Sequence, residues 1–170
     1  MARDLLGKTL VYDGPPGRRA ARVVEVEAYL GHTDPASHAY RGPTARTGVM
    51  FGRPGVSYVY LSHGVWFCMN VVAHAPGVAG AVLLRGAEPL EGLGDDARAL
   101  AGPGLLGRTL GLTTDHSGWD LVRSPLHLRD AAEAPASSVR RGPRIGIAPS
   151  ATSERAWRFW LRDSRGVSRR

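Results

Sequence analysis

This chain has one cysteine, one lysine and no long apolar run. Cys68, being alone, excludes a disulfide framework and a cysteine-built zinc site. The six histidines lack a metal-ligand spacing such as His-x-x-x-His, so no metal is expected. No stretch approaches the roughly 18 apolar residues of a membrane span. The segment from Met1 to Gly7 has no signal-peptide h-region, which predicts a cytoplasmic protein with no membrane partner. Lys8 and the N-terminal amine are the only primary amines on which Schiff-base chemistry could draw.

What the chain does have is arginine. Net charge is +7, and Lys8 is the only one of the 22 basic residues that is not arginine. Arginine forks onto phosphates and enters narrow grooves, which suits nucleic acid, although an arginine-rich codon bias gives the same count. At 170 residues, 43% of them hydrophobic, the chain can build one domain with a proper core.

The stretch from Val23 to Leu30 is the most informative. With period two, Val24, Val26, Ala28 and Leu30 fall on one face, and Glu25, Glu27 and Tyr29 on the other, with Val23 at the start. This predicts a half-buried strand. Glu25 and Glu27 then lie roughly 6.5 Å apart at ~3.3 Å per residue. A carboxylate beside an aromatic plate, with His38 after a short loop, can hold a flat ligand and activate a water. A solvated polar strand face is the plainer reading of the same pattern.

Along the chain, Asp4 to Leu10 predicts a short helix feeding a strand over Lys8 to Tyr12. Gly14-Pro15-Pro16-Gly17 is a turn, so the chain opens with a hairpin. Gly31 to Pro54 is a long loop-like stretch, of a length that tends to be functional. Val56 to Leu61 and Val65 to Val72 form the clearest hairpin, with Tyr58 and Tyr60 on one face, Trp66, Cys68 and Asn70 on one face, and His63 at an exposed tip. Ala79 to Leu84 is a strand that Arg85 interrupts. Glu91 to Ala101 and Leu105 to Leu112 predict helices. Between them, Gly102-Pro103-Gly104 reads first as a helix–helix connector and second as a source of backbone N–H groups for a phosphate. Trp119 to Leu128 predicts a strand broken at Pro125, Arg140 to Arg144 a basic turn, Glu154 to Trp157 a helical turn and Arg158 to Arg162 a last strand. Hairpins with short helices between them predict an α+β fold: one compact domain over 1–170, with a curved, mainly antiparallel sheet and a protruding hairpin.

Several blocks, in order, resemble the alkyladenine (3-methyladenine) DNA glycosylase family. They are Glu27-Ala28-Tyr29-Leu30-Gly31 with His38, Met50-Phe51, Pro54-Gly55, Tyr58-Val59-Tyr60, Phe67-Cys68-Met69-Asn70, Val82-Leu83-Leu84-Arg85 and Glu88-Pro89-Leu90-Glu91-Gly92. Gly102-Pro103, Asp120-Leu121 and Arg144-Ile145-Gly146-Ile147 continue the likeness over nearly the whole chain.

The resemblance implies a monofunctional enzyme of base excision repair. It would flip a damaged purine (3-methyladenine, 7-methylguanine, hypoxanthine or ethenoadenine) out of duplex DNA and hydrolyse its N-glycosidic bond, without cofactor or lyase activity. By similarity Glu27 is the general base, Arg85 helps hold the attacking water, and the backbone carbonyl of Ile145 is the water's third partner. Tyr29 stacks on the base, His38 and Tyr60 close the other side, and Asn70 lies against the purine edge. His63 takes the place of the family's wedge tyrosine, and Trp66 stands where other members carry a smaller aromatic. Thr44, Arg46, Val65, Trp66, Arg141 and Gly146 are the expected contacts to the DNA backbone. A monomer that meets the nucleoid when on DNA is implied. A lesion-binding protein without catalysis would not need Glu27 with Arg85. A hydrolase of free nucleosides would need neither the basic charge nor the exposed tip.

Overall fold

The computed structural model describes residues 1–168, so the last two residues of the expected 1–170 domain lie outside the described residues. Among the described residues eight strands form one antiparallel sheet, α+β in class as expected. They are β1 (Thr9–Gly14), β2 (Gly17–Tyr29), β3 (Ser57–Ser62), β4 (Trp66–Val72), β5 (Ala81–Glu91), β6 (Leu126–Arg129), β7 (Val139–Gly142) and β8 (Arg158–Leu161). Along the sheet the order is β3-β4-β5-β2-β1-β6, and β8 pairs with both β2 and β7. The long strand β2 is therefore central. β5 runs along one edge of it, while β1 and then β8 share the other.

Consecutive residues divide between two cores because strand side chains alternate faces. Val59, Val71 and Val82 enter the main core with Leu84, Leu106 and Leu110. Their neighbours Tyr58, Val72 and Ala81 enter a smaller cluster with Ala39 and Met50 of the loop between β2 and β3. The 13-residue strand β2 departs from the expected half-buried pattern. Its register against β5 shifts on either side of Glu25, and Val23 and Val26, three apart, join the same core. A bulge of this kind reverses the face on which later residues fall, which simple period-two counting cannot anticipate. Both faces are covered: Val23, Val24, Glu25, Val26 and Glu27 are all fully buried.

Among the described residues one α-helix forms, α1 (Pro103–Leu110), and it braces the hairpin β3–β4. A Cβ at Gly107 would lie 1.9 Å from the carbonyl oxygen of Phe67, and one at Gly104 would lie 2.8 Å from Trp66. These two glycines let the helix reach the strand, so Gly104 is used for packing. The other expected helices are reduced. Arg3–Leu5 and Ala97–Leu100 are short 3-10 turns. Gly7, Gly92 and Gly94 have positive φ, which a helix cannot continue through. β5 runs on through Arg85 rather than stopping there, and the expected basic turn after Ser138 is strand β7, paired with β8. Trp119 to Pro125 is a turn closed on the Asp120 carboxylate and carbonyl, leaving only Leu126–Arg129 extended. Among the described residues no helix is long and apolar enough to cross a membrane.

Candidate active site

The end of β2 carries the carboxylate and the phenol toward the same place. Tyr29 donates its hydroxyl to Oε2 of Glu27 at 2.8 Å. Oε1 of Glu27 accepts the backbone N–H of Ile145 at 2.8 Å and lies 3.3 Å from Nη1 of Arg85. A carboxylate offers about four lone-pair sites, so the two hydrogen bonds and the ion pair leave room for a further donor. Glu27 itself is fully buried. Burial, then the charge and hydrogen bond of Glu27, push the Tyr29 phenol far above its usual range, which keeps it a donor.

Arg85 is shared. Its Nε lies 3.3 Å from Oε1 of Glu25 while Nη1 faces Glu27. Glu25, expected to be an unremarked strand-face carboxylate, is instead fully buried and held by several donors. It accepts from Arg158 Nε at 2.6 Å, from the Ser168 backbone N–H at 2.6 Å and from the Ser168 hydroxyl at 3.0 Å. A buried carboxylate must be paired, and here arginines from β5 and β8 do it. The spacing Glu-x-Glu hinted at two facing carboxylates; nothing local pointed to Arg158 or Ser168.

A cavity of about 310 Å³ opens beside this cluster. Tyr29, His38, Tyr60, Asn70, Arg46, His63 and Gly146 all line it, together with Tyr58, Met50 and Ile147. Thus seven of the expected site residues converge. Arg46, expected on the DNA backbone, stands at the pocket. Tyr58 and Tyr60 stack at 5.4 Å, and the His38 ring meets Tyr60 edge-on at 4.5 Å. His38 Nδ1 lies 3.0 Å from the Tyr58 hydroxyl. Partial enclosure, and then the Arg46 charge, lower the His38 pKa. Burial, and then Cys68, raise the Tyr60 phenol beyond the ordinary range. Asn70 donates its amide to the Tyr58 carbonyl at 3.1 Å, which fixes the side chain. The lone Cys68 is buried.

At the hairpin tip Val65 N–H bonds to the Ser62 carbonyl at 3.1 Å, and His63 and Gly64 have φ of 50° and 70°. Those signs are those of a type I′ turn. His63 is exposed, as are Leu61 and Val65 beside it. Trp66 is occupied otherwise: it lies against Gly104, with the Arg108 guanidinium 5.5 Å over its ring. Thr44 is exposed and its hydroxyl bonds to that of Thr47 at 2.9 Å, closing a turn. Arg141 is exposed on β7. Thr44, Val65, Trp66 and Arg141 do not line the cavity.

Behind Tyr29 lies a fully buried ion pair that sequence reading missed. Arg144 meets Asp34 through Nη1–Oδ2 at 2.5 Å and Nη2–Oδ1 at 2.8 Å. Burial raises the Asp34 carboxyl, but hydrogen bonds from Arg144 and Thr152 outweigh it and hold the pKa below its usual value. Among the described residues, no group of three or more His, Cys, Asp or Glu is placed to hold a metal ion.

The model of a family described as methylpurine-DNA glycosylase matches residues 1–165. A Myxococcus xanthus protein named "Putative 3-methyladenine DNA glycosylase" is 48% identical over 99% of this chain and 87% of its own length. A protein of the same name from Anaeromyxobacter dehalogenans is 48% identical over 99% of this chain and 80% of its own. One from Rhodopseudomonas palustris is 46% identical over 99% and 84%.

Proposed function

Because this chain belongs to the methylpurine-DNA glycosylase family, we propose that its pocket receives a damaged purine flipped from duplex DNA and that Glu27 activates the water that releases it. The observation that carries this reading is the convergence on Glu27. One buried carboxylate is oriented by Ile145 N–H, Tyr29 O–H and Arg85 beside a cavity lined by aromatic rings. A flipped base needs stacking surfaces and edge contacts, which Tyr29, His38, Tyr60 and Asn70 supply.

Glu27 takes a proton from water, and the oxygen bonds to the sugar C1′. The C1′–N bond breaks with its electron pair going to the base. A purine alkylated on a ring nitrogen carries positive charge and leaves as a neutral molecule. Until it takes up the water's proton, the Glu27 carboxylate also stabilises the cation that develops at the sugar. Arg85 and the Ile145 carbonyl help hold the water. His63 fills the step that the flipped nucleotide vacates. Thr44, Arg46, Val65, Trp66, Arg141 and Gly146 meet the backbone, and the net charge of +7 favours that contact.

Hydrolysis without a lyase step fits the placement of the amines. Lys8 is held by Asp130 and the Ala131 carbonyl, and the N-terminal amine pairs with Asp4 at 2.8 Å. Neither lines the pocket. The enzyme acts as a monomer on duplex DNA, in the cytoplasm, with 3-methyladenine, 7-methylguanine, hypoxanthine and ethenoadenine as candidate substrates.

The test is a panel of duplexes, each with one such lesion, assayed with and without borohydride. Release of free base, leaving an alkali-labile site and no trapped adduct, is the expected result. Hydrolysis of free nucleosides with no release from any duplex would overturn the reading.

A further inference from the structure

The buried pair Asp34–Arg144 touches both halves of the site. The guanidinium carbon of Arg144 lies 4.5 Å from the Tyr29 ring centre and 5.0 Å from that of Trp157. The cation thus lies over two aromatic rings. Its plane is set by the fork onto Asp34, by Nη1 to the Ala28 carbonyl at 3.0 Å and by Nη2 to the Thr152 hydroxyl at 3.2 Å. Asp34 is anchored in turn. It accepts the N–H groups of Leu30 and Ala36, each at 3.2 Å, and the Thr152 hydroxyl at 2.8 Å. Trp157 is tied to the same strand end, since its carbonyl accepts Ala28 N–H at 2.8 Å.

Two consequences follow from chain connectivity. Arg144 backs one face of Tyr29, so the ring presents its remaining face and edge to the cavity it lines. Arg144 also immediately precedes Ile145, whose N–H holds Glu27 at 2.8 Å. His38 stands four residues after Asp34 on the same loop. One fixed guanidinium therefore sets the stacking plate, the donor on the base and the loop that carries the opposite wall.

We propose that Arg144, locked by Asp34, is a positioning residue that fixes Tyr29 and the Ile145 N–H together, so that base stacking and water activation stay in register. The proposal rests on the function given above. The role suits arginine alone. A lysine keeps the charge but loses the bidentate fork and the flat surface that stacks. Misplacing reacting groups by about 1 Å can cost on the order of 100-fold in rate.

The experiment compares the full-length parent, Arg144→Lys and Glu27→Gln on a duplex with one lesion that the parent excises. Single-turnover rates are divided by the folded fraction from circular dichroism, and affinity for undamaged duplex is measured alongside. Arg144→Lys is expected to lower the rate per folded molecule by at least about tenfold. Affinity for undamaged DNA should stay within about twofold, since Arg144 is buried. In the complex with ethenoadenine DNA, the fluorescence of the base should also differ from the parent's, because Tyr29 is no longer held. A parental rate per folded molecule would reduce the pair to a merely structural role and overturn the proposal. Should Arg144→Lys not fold, Trp157→Leu removes only the second ring under the guanidinium and leaves the buried pair. A several-fold slower rate supports the proposal and a parental rate overturns it. If the parent releases no base from any lesion duplex, the reading of Glu27 fails and takes this inference with it. If the parent is active and Glu27→Gln is not, while Arg144→Lys matches the parent, this inference fails alone.

Discussion

The Tyr29 phenol donates to Oε2 of Glu27 at 2.8 Å, two residues back on the same strand. A wall of the pocket and the carboxylate beside it are therefore one hydrogen-bonded unit. Bending one moves the other, and the strand that carries both is hydrogen-bonded along its two edges to β5 and β8.

Glu27→Gln should preserve this unit. The amide oxygen can accept from Ile145 N–H and Arg85, and the amide nitrogen can donate to the Tyr29 hydroxyl, which then accepts. What is lost is the proton acceptor. Single-turnover excision should fall by about 100-fold or more, with lesion binding retained. Near-normal excision would sink the assignment.

His38 should titrate below its ordinary value of 6.5, because enclosure first and the Arg46 charge second disfavour the imidazolium. At neutral pH the ring is then uncharged and can pair Nδ1 with Tyr58. Arg46→Gln removes the second cause only. The midpoint of the His38 ring-proton shift, followed by NMR, should rise in that variant yet stay below 6.5. An unchanged midpoint would show that Arg46 is too far or too screened to act on this ring.

Asp34 is held below its usual value of 3.8. A depressed native pKa contributes stability that is full above the unfolded value and is lost as pH falls through the native one. Asp34→Asn leaves the Arg144 charge buried without its partner, at a cost of about 3–5 kcal/mol near neutral pH. The gap between parent and variant should narrow once pH drops below 3.8. Urea unfolding at pH 7, 5 and 3 measures it, and a gap that stays constant down to pH 3 contradicts the linkage.

His63 should be the wedge. The turn places it at the exposed tip, and an inserted side chain recovers part of an unstacking cost of a few kcal/mol. His63→Ala should reduce flipping by about tenfold, about 1.4 kcal/mol, and His63→Tyr should restore it. Ethenoadenine fluorescence in a duplex reports the flipped base. Parental flipping by His63→Ala would pass the role to Leu61 or Val65, the exposed neighbours, since Trp66 is committed to α1.

Much of this architecture is short-range and so is legible in the residues themselves. The hairpin at His63-Gly64 follows from turn chemistry. That Glu27 and Tyr29 meet follows from strand alternation beyond the bulge, and the pairing of the pocket rings Tyr58 and Tyr60 from the same rule. The family blocks carry the roles assigned to Glu27, Arg85 and Ile145 as expectations. Three things required the folded chain. The bulge at Glu25 turns Val23 and Val26 to one core, because a register shift depends on the partner strand β5 and not on β2 alone. Glu25 becomes a buried, arginine-bound carboxylate only because β8 and Ser168, more than 130 residues later, close over it; its bond to Arg158 spans 133 positions. Asp34 and Arg144, 110 positions apart, look like ordinary loop charges until the sheet brings β2 and the segment after β7 together. Periodicity and turns are local properties of the backbone, whereas the pairing of buried charges is decided by which strands meet.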